Sequence, residues 1–148
     1  MQEKELIESF FQNNSIAVVG ATDNRKKFGY TVLNELMKKG FTVYPVNPKK
    51  EIINNLKVFP SVTTLPSDVK CALLVIPPKE TIKVVKEILS TNINLIWMQQ
   101  GSESSDAIDF CEKNGISVIS KKCVLMYAPP VKSFHKFHRF IWKMAGKI

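Results

Sequence analysis

Long apolar runs are missing from this chain. Of its 148 residues 45% are hydrophobic, yet no apolar stretch approaches the roughly 18 residues that a transmembrane helix needs. The first residues, Met1 to Glu5, include two glutamates and lack the basic character that opens a secretory signal. We therefore expect a cytoplasmic protein without a transmembrane segment, folded as a single domain over residues 1–148.

Cysteine and histidine are scarce. The three cysteines, Cys71, Cys111 and Cys123, are widely separated and form no CxxC pair, so neither a disulfide framework nor a zinc site is predicted. His135 and His138 have a spacing that suits two metal ligands, but no third ligand lies nearby in the sequence, and we predict no metal site. Cys123 follows two lysines, whose charge favours the thiolate; it is the candidate reactive thiol, with an inert buried cysteine as the alternative.

Acidic residues are absent from segment 121–148. That segment carries seven Lys and Arg, whereas residues 1–120 carry 14 against 13 Asp and Glu, so nearly all of the net charge of +8 lies in the tail. A basic surface for nucleic acid across the fold is therefore not expected. Apolar residues at helical spacing with interleaved lysines predict a basic amphipathic helix over about 131–146. We expect its apolar face to pack on the domain or on a second subunit; peripheral contact with anionic lipid or an acidic partner is the alternative.

Short apolar segments alternate with helical patterns along the first 126 residues. The predicted strands are 16–19, 41–46, 71–76, 93–98 and 116–119. Helices are expected over 3–12, between the first and second strands, from Pro78 onward, and over 102–113. This alternation predicts a Rossmann-like, doubly wound five-stranded parallel sheet in a three-layer α/β/α arrangement with right-handed crossovers. Ligands of such folds lie at the carboxyl ends of the strands.

Three details of this pattern are less regular. Pro45 counts against a regular central strand, because proline cannot donate to the ladder. Residues 49–65 have weak periodicity and are predicted to form a short helical turn and an irregular connection. In the helix after Pro78, we expect Ile82, Val85 and Leu89 to face the core.

Glycine is missing where a dinucleotide fingerprint requires it. Gly20 ends the first strand, but Ala21 and Thr22 follow, so the second glycine of G-x-G-x-x-G is absent, as is the Gly-Lys-Ser/Thr ending of a P-loop. The loop still offers a glycine turn, the Thr22 hydroxyl and three cations at 25–27 before a helix N-terminus, which can jointly hold phosphates. A solvated loop with a structural glycine is the alternative.

An acid is also missing at the end of the second strand, where NAD sites use Asp or Glu to bind the ribose hydroxyls. Here Val46 is followed by Asn47, Pro48, Lys49 and Lys50. Two lysines in place of the acid favour a phosphorylated ribose, which both NADP and coenzyme A carry. A lysine pair on a solvated turn is the alternative.

Five blocks of the sequence resemble the small stand-alone CoA-binding proteins, whose domain is similar to the N-terminal CoA-binding domain of the succinyl-CoA synthetase α subunit. They are Ile16–Thr22, Lys26–Tyr30, Val43–Pro48, Leu74–Pro78 and Ile96–Gln99. The resemblance covers about 14–126.

The resemblance implies coenzyme A or an acyl-CoA as the ligand, and it assigns the site by residue. The pyrophosphate would be lined by Gly20, Ala21 and Thr22, and the residues over the diphosphate would be Lys26, Lys27 and Phe28. The adenosine would be bordered by Val46, Asn47 and Pro48, and the 3′-phosphate would be contacted by Lys49 or Lys50. Ile76, Pro77 and Pro78 would flank the adenine or pantetheine, with Trp97 and Gln99 near the pantetheine path.

Catalytic groups are not evident among these loops. The sequence offers no Ser/His/Asp arrangement, paired acids or metal cluster there, and neither the synthetase phosphohistidine nor its ligase partner domain is recognised in it. We therefore predict a binding protein rather than an enzyme. Two alternatives are an NADP-binding oxidoreductase-like domain, weakened by the missing glycine and the lack of a substrate domain, and an interaction module that works through its basic C-terminal helix.

Overall fold

A computed structural model describes residues 2–130 of the chain. The helix predicted over 131–146, together with His135 and His138, lies outside the described residues. The helices are α1 (Glu3–Gln12), α2 (Phe28–Lys38), α3 (Pro78–Ile88) and α4 (Ser105–Lys113). The strands are β1 (Ser15–Val19), β2 (Thr42–Val46), β3 (Ile52–Ile53), β4 (Leu56–Lys57), β5 (Cys71–Leu74), β6 (Leu95–Gln99) and β7 (Ser117–Lys122), with 3₁₀ turns at Val62–Thr64 and Val124–Met126.

The main sheet has five strands in the order β2-β1-β5-β6-β7, and every neighbouring pair is parallel. Helices cover it, so the Rossmann-like α/β fold predicted from the sequence is confirmed. Strand β1 lies between β2 and β5, at the point where the strand order reverses. In open α/β sheets this switch point is where ligands bind.

Alternate residues of β1 pack into two separate cores on opposite faces of the sheet. Ile16 and Val18 join the side chains of α1 and α2, whereas Ala17 and Val19 join those of α3 and α4. All four are buried. The continuous apolar run of β1 is therefore what a parallel strand covered on both faces requires.

Proline at position 45 is accommodated because β2 is an edge strand of the main sheet. Its ring carries no N–H, and the outer side of β2 is partly covered by the segment after β4, where the Phe59 amide donates to the Pro45 carbonyl at 2.9 Å. An edge position is where a sheet tolerates proline.

Three local expectations are wrong. Residues 49–65 contain an antiparallel β3–β4 pair and a 3₁₀ turn rather than a helical turn and an irregular connection. Leu89 lies just beyond α3 and is 48% exposed, because Val85 and Ile88 supply the buried face. Helix α4 begins at Ser105 rather than at the expected residue 102, since Ser104 caps it by accepting from the Ala107 amide at 3.3 Å.

Among the described residues, no helix is long and apolar enough to cross a bilayer.

Candidate functional site

A cleft of about 780 Å³ opens at the carboxyl ends of the central strands. The loops that follow β1, β2, β5 and β6 form its margins, and one face of α3 forms a wall. The cleft therefore lies at the switch point of the sheet, where the topology predicts a ligand.

Most of the residues singled out from the sequence line this cleft. They are Gly20, Thr22, Lys27, Phe28, Val46, Asn47, Pro48, Lys49, Ile76 and Pro77. Ala21, Lys26, Lys50, Pro78, Trp97 and Gln99 are not among its lining residues. The structure thus brings the loops after β1, β2 and β5 together as the sequence analysis expects, and it separates two residues of β6 from them.

Trp97 and Gln99 are part of the framework rather than of the cleft surface. The Trp97 side chain is fully buried among Phe10, Phe11 and Tyr127, and its Nε1 donates to the Lys122 carbonyl at 3.0 Å. The Gln99 Oε1 atom accepts from the Val124 amide at 2.9 Å. Both side chains are occupied in fixing the chain after β7, and their nearness to the pantetheine path stays a prediction.

The cysteines also lie apart from the cleft lining. Burial raises the pKa of Cys71 to about 12 and that of Cys111 to about 11, with Glu112 adding to the second shift. Both thiols therefore remain protonated at neutral pH. Cys123 is half-buried at the start of the second 3₁₀ turn and is not a lining residue, so its position does not support a mixed disulfide with a ligand in the cleft.

The turn after β1 is closely packed on both sides. A Cβ atom built on Gly20 would lie 2.1 Å from the Val75 carbonyl oxygen, and one built on Gly29 would lie 2.2 Å from the Gly20 carbonyl oxygen. Gly20 also has a φ of +96°, which L side chains rarely adopt. These two glycines let the turn approach both β5 and the start of α2.

The same loop leads into a helix start with unused hydrogen-bond donors. Its course is fixed locally, because the Thr22 Oγ1 atom accepts from the Asn24 amide at 3.1 Å and the Asn24 Oδ1 atom accepts from the Lys26 amide at 3.0 Å. Within residues 2–130, no protein group accepts from the amides of Phe28 and Gly29, which begin α2 and line the cleft. Free amides at a helix N-terminus suit an anion.

Asn47 joins the loop after β2 to the loop after β1. Its Nδ2 atom donates to the Ala21 carbonyl at 2.9 Å, and its Oδ1 atom accepts from the Lys49 amide at 2.8 Å. An aspartate could not donate to Ala21. The contact between the two loops thus explains why residue 47 is an asparagine. This reason adds to the lack of negative charge at this position, which suits a phosphorylated ribose.

Ser102 is a cleft residue that the sequence analysis missed. It is 4% exposed; its Oγ atom accepts from the Ile76 amide at 3.1 Å, and its carbonyl accepts from Thr81 Oγ1 at 2.7 Å. It therefore ties the β6 loop to the β5 loop and to α3. The only signal in the sequence is a serine shortly after a buried strand, and the helical pattern places that serine in the following helix instead.

The wall formed by α3 was also missed. Glu80, Lys83, Val84 and Glu87 line the cleft at helical spacing, so one face of α3 runs along it. This wall therefore carries two carboxylates and one lysine, whereas the charged residues that line the cleft from the loops after β1 and β2 are Lys27 and Lys49. Those two lysines form no ion pair with any acid of residues 2–130. Their charge is free to meet an anionic ligand.

Fold and cleft together define a Rossmann-like α/β domain with a cleft at the carboxyl edge of the sheet. A family model described as a CoA binding domain matches residues 14–129. The chain belongs to this family, which confirms the resemblance found in the sequence.

Two kinds of known protein are similar to this chain. One is represented by the α subunit of an ADP-forming acetate–CoA ligase from Pyrococcus furiosus, 28% identical over 130 residues, which covers 80% of this chain. The chain spans only 28% of the length of that relative.

The other kind consists of small proteins of solved structure. A conserved hypothetical protein from Pyrococcus furiosus is 39% identical, with a TM-score of 0.74 over 76% of this chain and 97% of that one. A hypothetical protein from Pyrococcus horikoshii is 25% identical, with a TM-score of 0.79 over 85% of this chain and 89% of that one. The fold thus occurs both as a part of larger CoA ligases and as a small protein of similar length.

Proposed function

We propose that the protein binds coenzyme A or an acyl-CoA in this cleft and does not itself catalyse a reaction. The observation that carries the proposal is the coincidence of the family match over 14–129 with a cleft at the switch point of the sheet. The ligase relatives act on CoA by name, but this chain matches only a fraction of their length. Binding is the part of their chemistry that a CoA binding domain can be expected to share.

The loop after β1 provides the position for the diphosphate. Lys27, Phe28 and Gly29 are consecutive residues that line the cleft at the positive end of α2, and the amides of Phe28 and Gly29 have no acceptor among residues 2–130. Together they complement a charge of about −2 without the second glycine of a dinucleotide fingerprint.

The loop after β2 provides the position for the 3′-phosphate. No acid follows Val46 to bind the hydroxyls of a free ribose; Lys49 lines the cleft there instead. A lysine favours a phosphorylated ribose by a charge-assisted hydrogen bond. Because NADP also carries such a phosphate, the ligand class has to be decided by direct competition.

Catalysis is not proposed because the described cleft lacks a nucleophile paired with a base. Among residues 2–130, no group of three or more His, Cys, Asp and Glu could hold a metal ion. The carboxylates in the cleft, Glu80 and Glu87, lie on α3 and have no histidine or cysteine beside them in the cleft lining. The arrangement binds and orients a ligand.

The proposal is tested by calorimetric titration of the purified protein with coenzyme A and dephospho-coenzyme A. We expect coenzyme A to bind more tightly by about 1.5–3 kcal/mol, the worth of a hydrogen bond to a charged group. Lys49→Gln should lower the affinity for coenzyme A towards that for dephospho-coenzyme A. Lys38→Gln is the control, since Lys38 lies exposed on α2 outside the cleft lining.

A thermal-shift comparison with NADP decides between the two ligand classes. A ligand present at 100 times its dissociation constant stabilises the fold by about 2.7 kcal/mol. Stabilisation by NADP but not by coenzyme A would refute the proposal and favour the oxidoreductase-like alternative. Equal affinity for coenzyme A and its dephospho form would refute the assignment of the 3′-phosphate while leaving the cleft as the binding site.

A further inference from the structure

An ion pair joins the loop after β1 to the loop after β2, and both loops border the cleft. The Lys50 Nζ atom lies 3.3 Å from Asp23 Oδ2, and the two side chains are 44% and 52% exposed. Their neighbours in the chain, Thr22 and Lys49, line the cleft, whereas Asp23 and Lys50 do not. In the structure, the Lys50 ammonium group is therefore paired with the carboxylate of Asp23 and does not line the cleft.

This ion pair is not what holds the two loops together. Asn47 already connects them by its part-buried contact to the Ala21 carbonyl, and it orders the turn that follows it by accepting from the Lys49 amide two residues on. The course of the first loop is fixed by the contacts of Thr22 and Asn24 described above. Lys50 can therefore leave Asp23 without releasing either loop.

An exposed ion pair is also weak enough to exchange partners. Such pairs contribute about 0.2–1 kcal/mol, because water screens the attraction and two side chains lose freedom. A phosphomonoester carries about −1.5 to −2 charges at neutral pH and offers three acceptor oxygens, against a single charge on a carboxylate. Lysine is a flexible cation with three donors, and it can follow the stronger anion.

Resting on the proposed function, we propose that Asp23 is a specificity-determining residue of the cleft: it retains Lys50 in the free protein and yields it to the 3′-phosphate of the ligand. Lys49, which lines the cleft without an ion pair, is then the cation already available, and Lys50 is the exchangeable one. A ligand without the phosphomonoester leaves the Asp23–Lys50 pair intact. A ligand with it must break the pair, so Asp23 lowers the selectivity for phosphorylated ligands below what two unpaired lysines would give.

The test compares the affinities of coenzyme A and dephospho-coenzyme A across a set of full-length variants at low ionic strength. Asp23→Asn should raise the affinity ratio of the two ligands about two- to fivefold, the equivalent of one exposed ion pair. Lys50→Gln should lower the ratio. In the Lys50→Gln background, Asp23→Asn should no longer raise it, since no lysine remains there to be released.

Glu35→Gln is the matched control. It removes one negative charge from another exposed ion pair, in which Glu35 Oε1 lies 3.6 Å from Lys38 Nζ, and Glu35 does not line the cleft. It should leave the ratio unchanged. Circular dichroism of each variant shows whether the fold is retained.

The possible outcomes separate this inference from the proposed function. If coenzyme A binds the wild type but Asp23→Asn leaves the ratio unchanged, or raises the affinity for both ligands equally, the inference is overturned and the proposed function stands. A gain in ratio that persists in the Lys50→Gln background also overturns it. If coenzyme A does not bind the wild type, both are overturned.

Discussion

Three features of its surroundings explain why residue 20 is a glycine. Its amide donates to the Val46 carbonyl at 3.1 Å, the Val75 carbonyl occupies the space of a Cβ atom, and its φ of +96° lies outside the range of ordinary side chains. The glycine thus joins β1 to β2 and β5 at the floor of the cleft. Gly20 forms the turn expected from the sequence, and it also lets the backbones of three strands approach closely.

Gly20→Ala should destabilise the fold by about 3 kcal/mol, the sum of an unfavourable backbone conformation and of overpacking against a backbone atom. Urea unfolding followed by circular dichroism measures this change. Gly115→Ala is the matched control, because Gly115 has a φ of +73° but no atom lies within 4 Å of the place that a Cβ atom would take there. It should cost about 1 kcal/mol, the conformational part alone. Equal losses for the two variants would show that crowding at Val75 is unimportant.

Residue patterns predicted which loops form the cleft and many of the residues that line it, but not the contributions of Ser102 and α3. Strand ends are marked by Gly20, Asn47 and Pro77, and the parallel topology then brings those positions together. Trp97 of β6 does not line the cleft, and the sequence could not show this, since an apolar strand buried on both faces carries no alternation from which to read the direction of its side chains. The α3 wall was missed because Glu80 and Glu87 resemble any solvated helix face in the sequence.

Among the elements, α1 is an integral part of the core although it precedes the matched family region. Ile7, Phe10 and Phe11 are buried, and the rings of Phe10 and Phe11 lie 5.3 and 5.6 Å from that of Trp97. An ion pair of 3.1 Å between Glu3 and Lys122 links the start of the helix to the end of β7. The helix therefore packs on one face of the sheet over β6 and is tied to the end of β7.

Phe10→Ala should destabilise the protein by about 3–5 kcal/mol, because it removes a fully buried ring and leaves a cavity beside the Trp97 indole. The exposed Gln12→Ala on the same helix should change stability by less than about 0.5 kcal/mol. Chemical unfolding followed by circular dichroism provides both values. A loss below about 1 kcal/mol for Phe10→Ala, far under the usual cost of such a truncation, would mean that α1 contributes little to the folded state.

The short β3–β4 pair shows why some elements escape prediction. Each strand has two residues, too few for periodicity to be recognised. The connecting Asn54 and Asn55 both have positive φ, at 51° and 64°, as a two-residue hairpin turn requires. Asparagine pairs between apolar residues are therefore the local signal that the sequence analysis did not use, whereas the longer strands of the main sheet were evident from their apolar runs.

For the whole molecule, the described cleft and the charge excess lie in different parts of the chain. The cleft is lined by residues between Val19 and Ser102, while seven Lys and Arg without any acid lie in 121–148. Ligand binding and whatever the basic tail contacts should therefore be separable.

A chain ending at residue 130 should bind coenzyme A within about twofold of the full-length affinity, since a twofold change corresponds to only about 0.4 kcal/mol. Calorimetry of the two chains under identical buffer conditions makes the comparison. Binding to anionic vesicles, if the full-length protein shows it, should be lost on truncation. A large drop in coenzyme A affinity for a truncated chain that remains folded would contradict this separation and assign the tail a part in the site.

The burial of Trp97 has a practical consequence for experiments. Its indole lies within the aromatic cluster formed with α1, is fully buried and does not line the cleft. Once Trp142 is replaced by phenylalanine, the intrinsic fluorescence of the protein should come from this shielded ring. That emission would report on the integrity of the core and respond little to occupancy of the cleft, so unfolding can be followed by fluorescence in the presence of ligand.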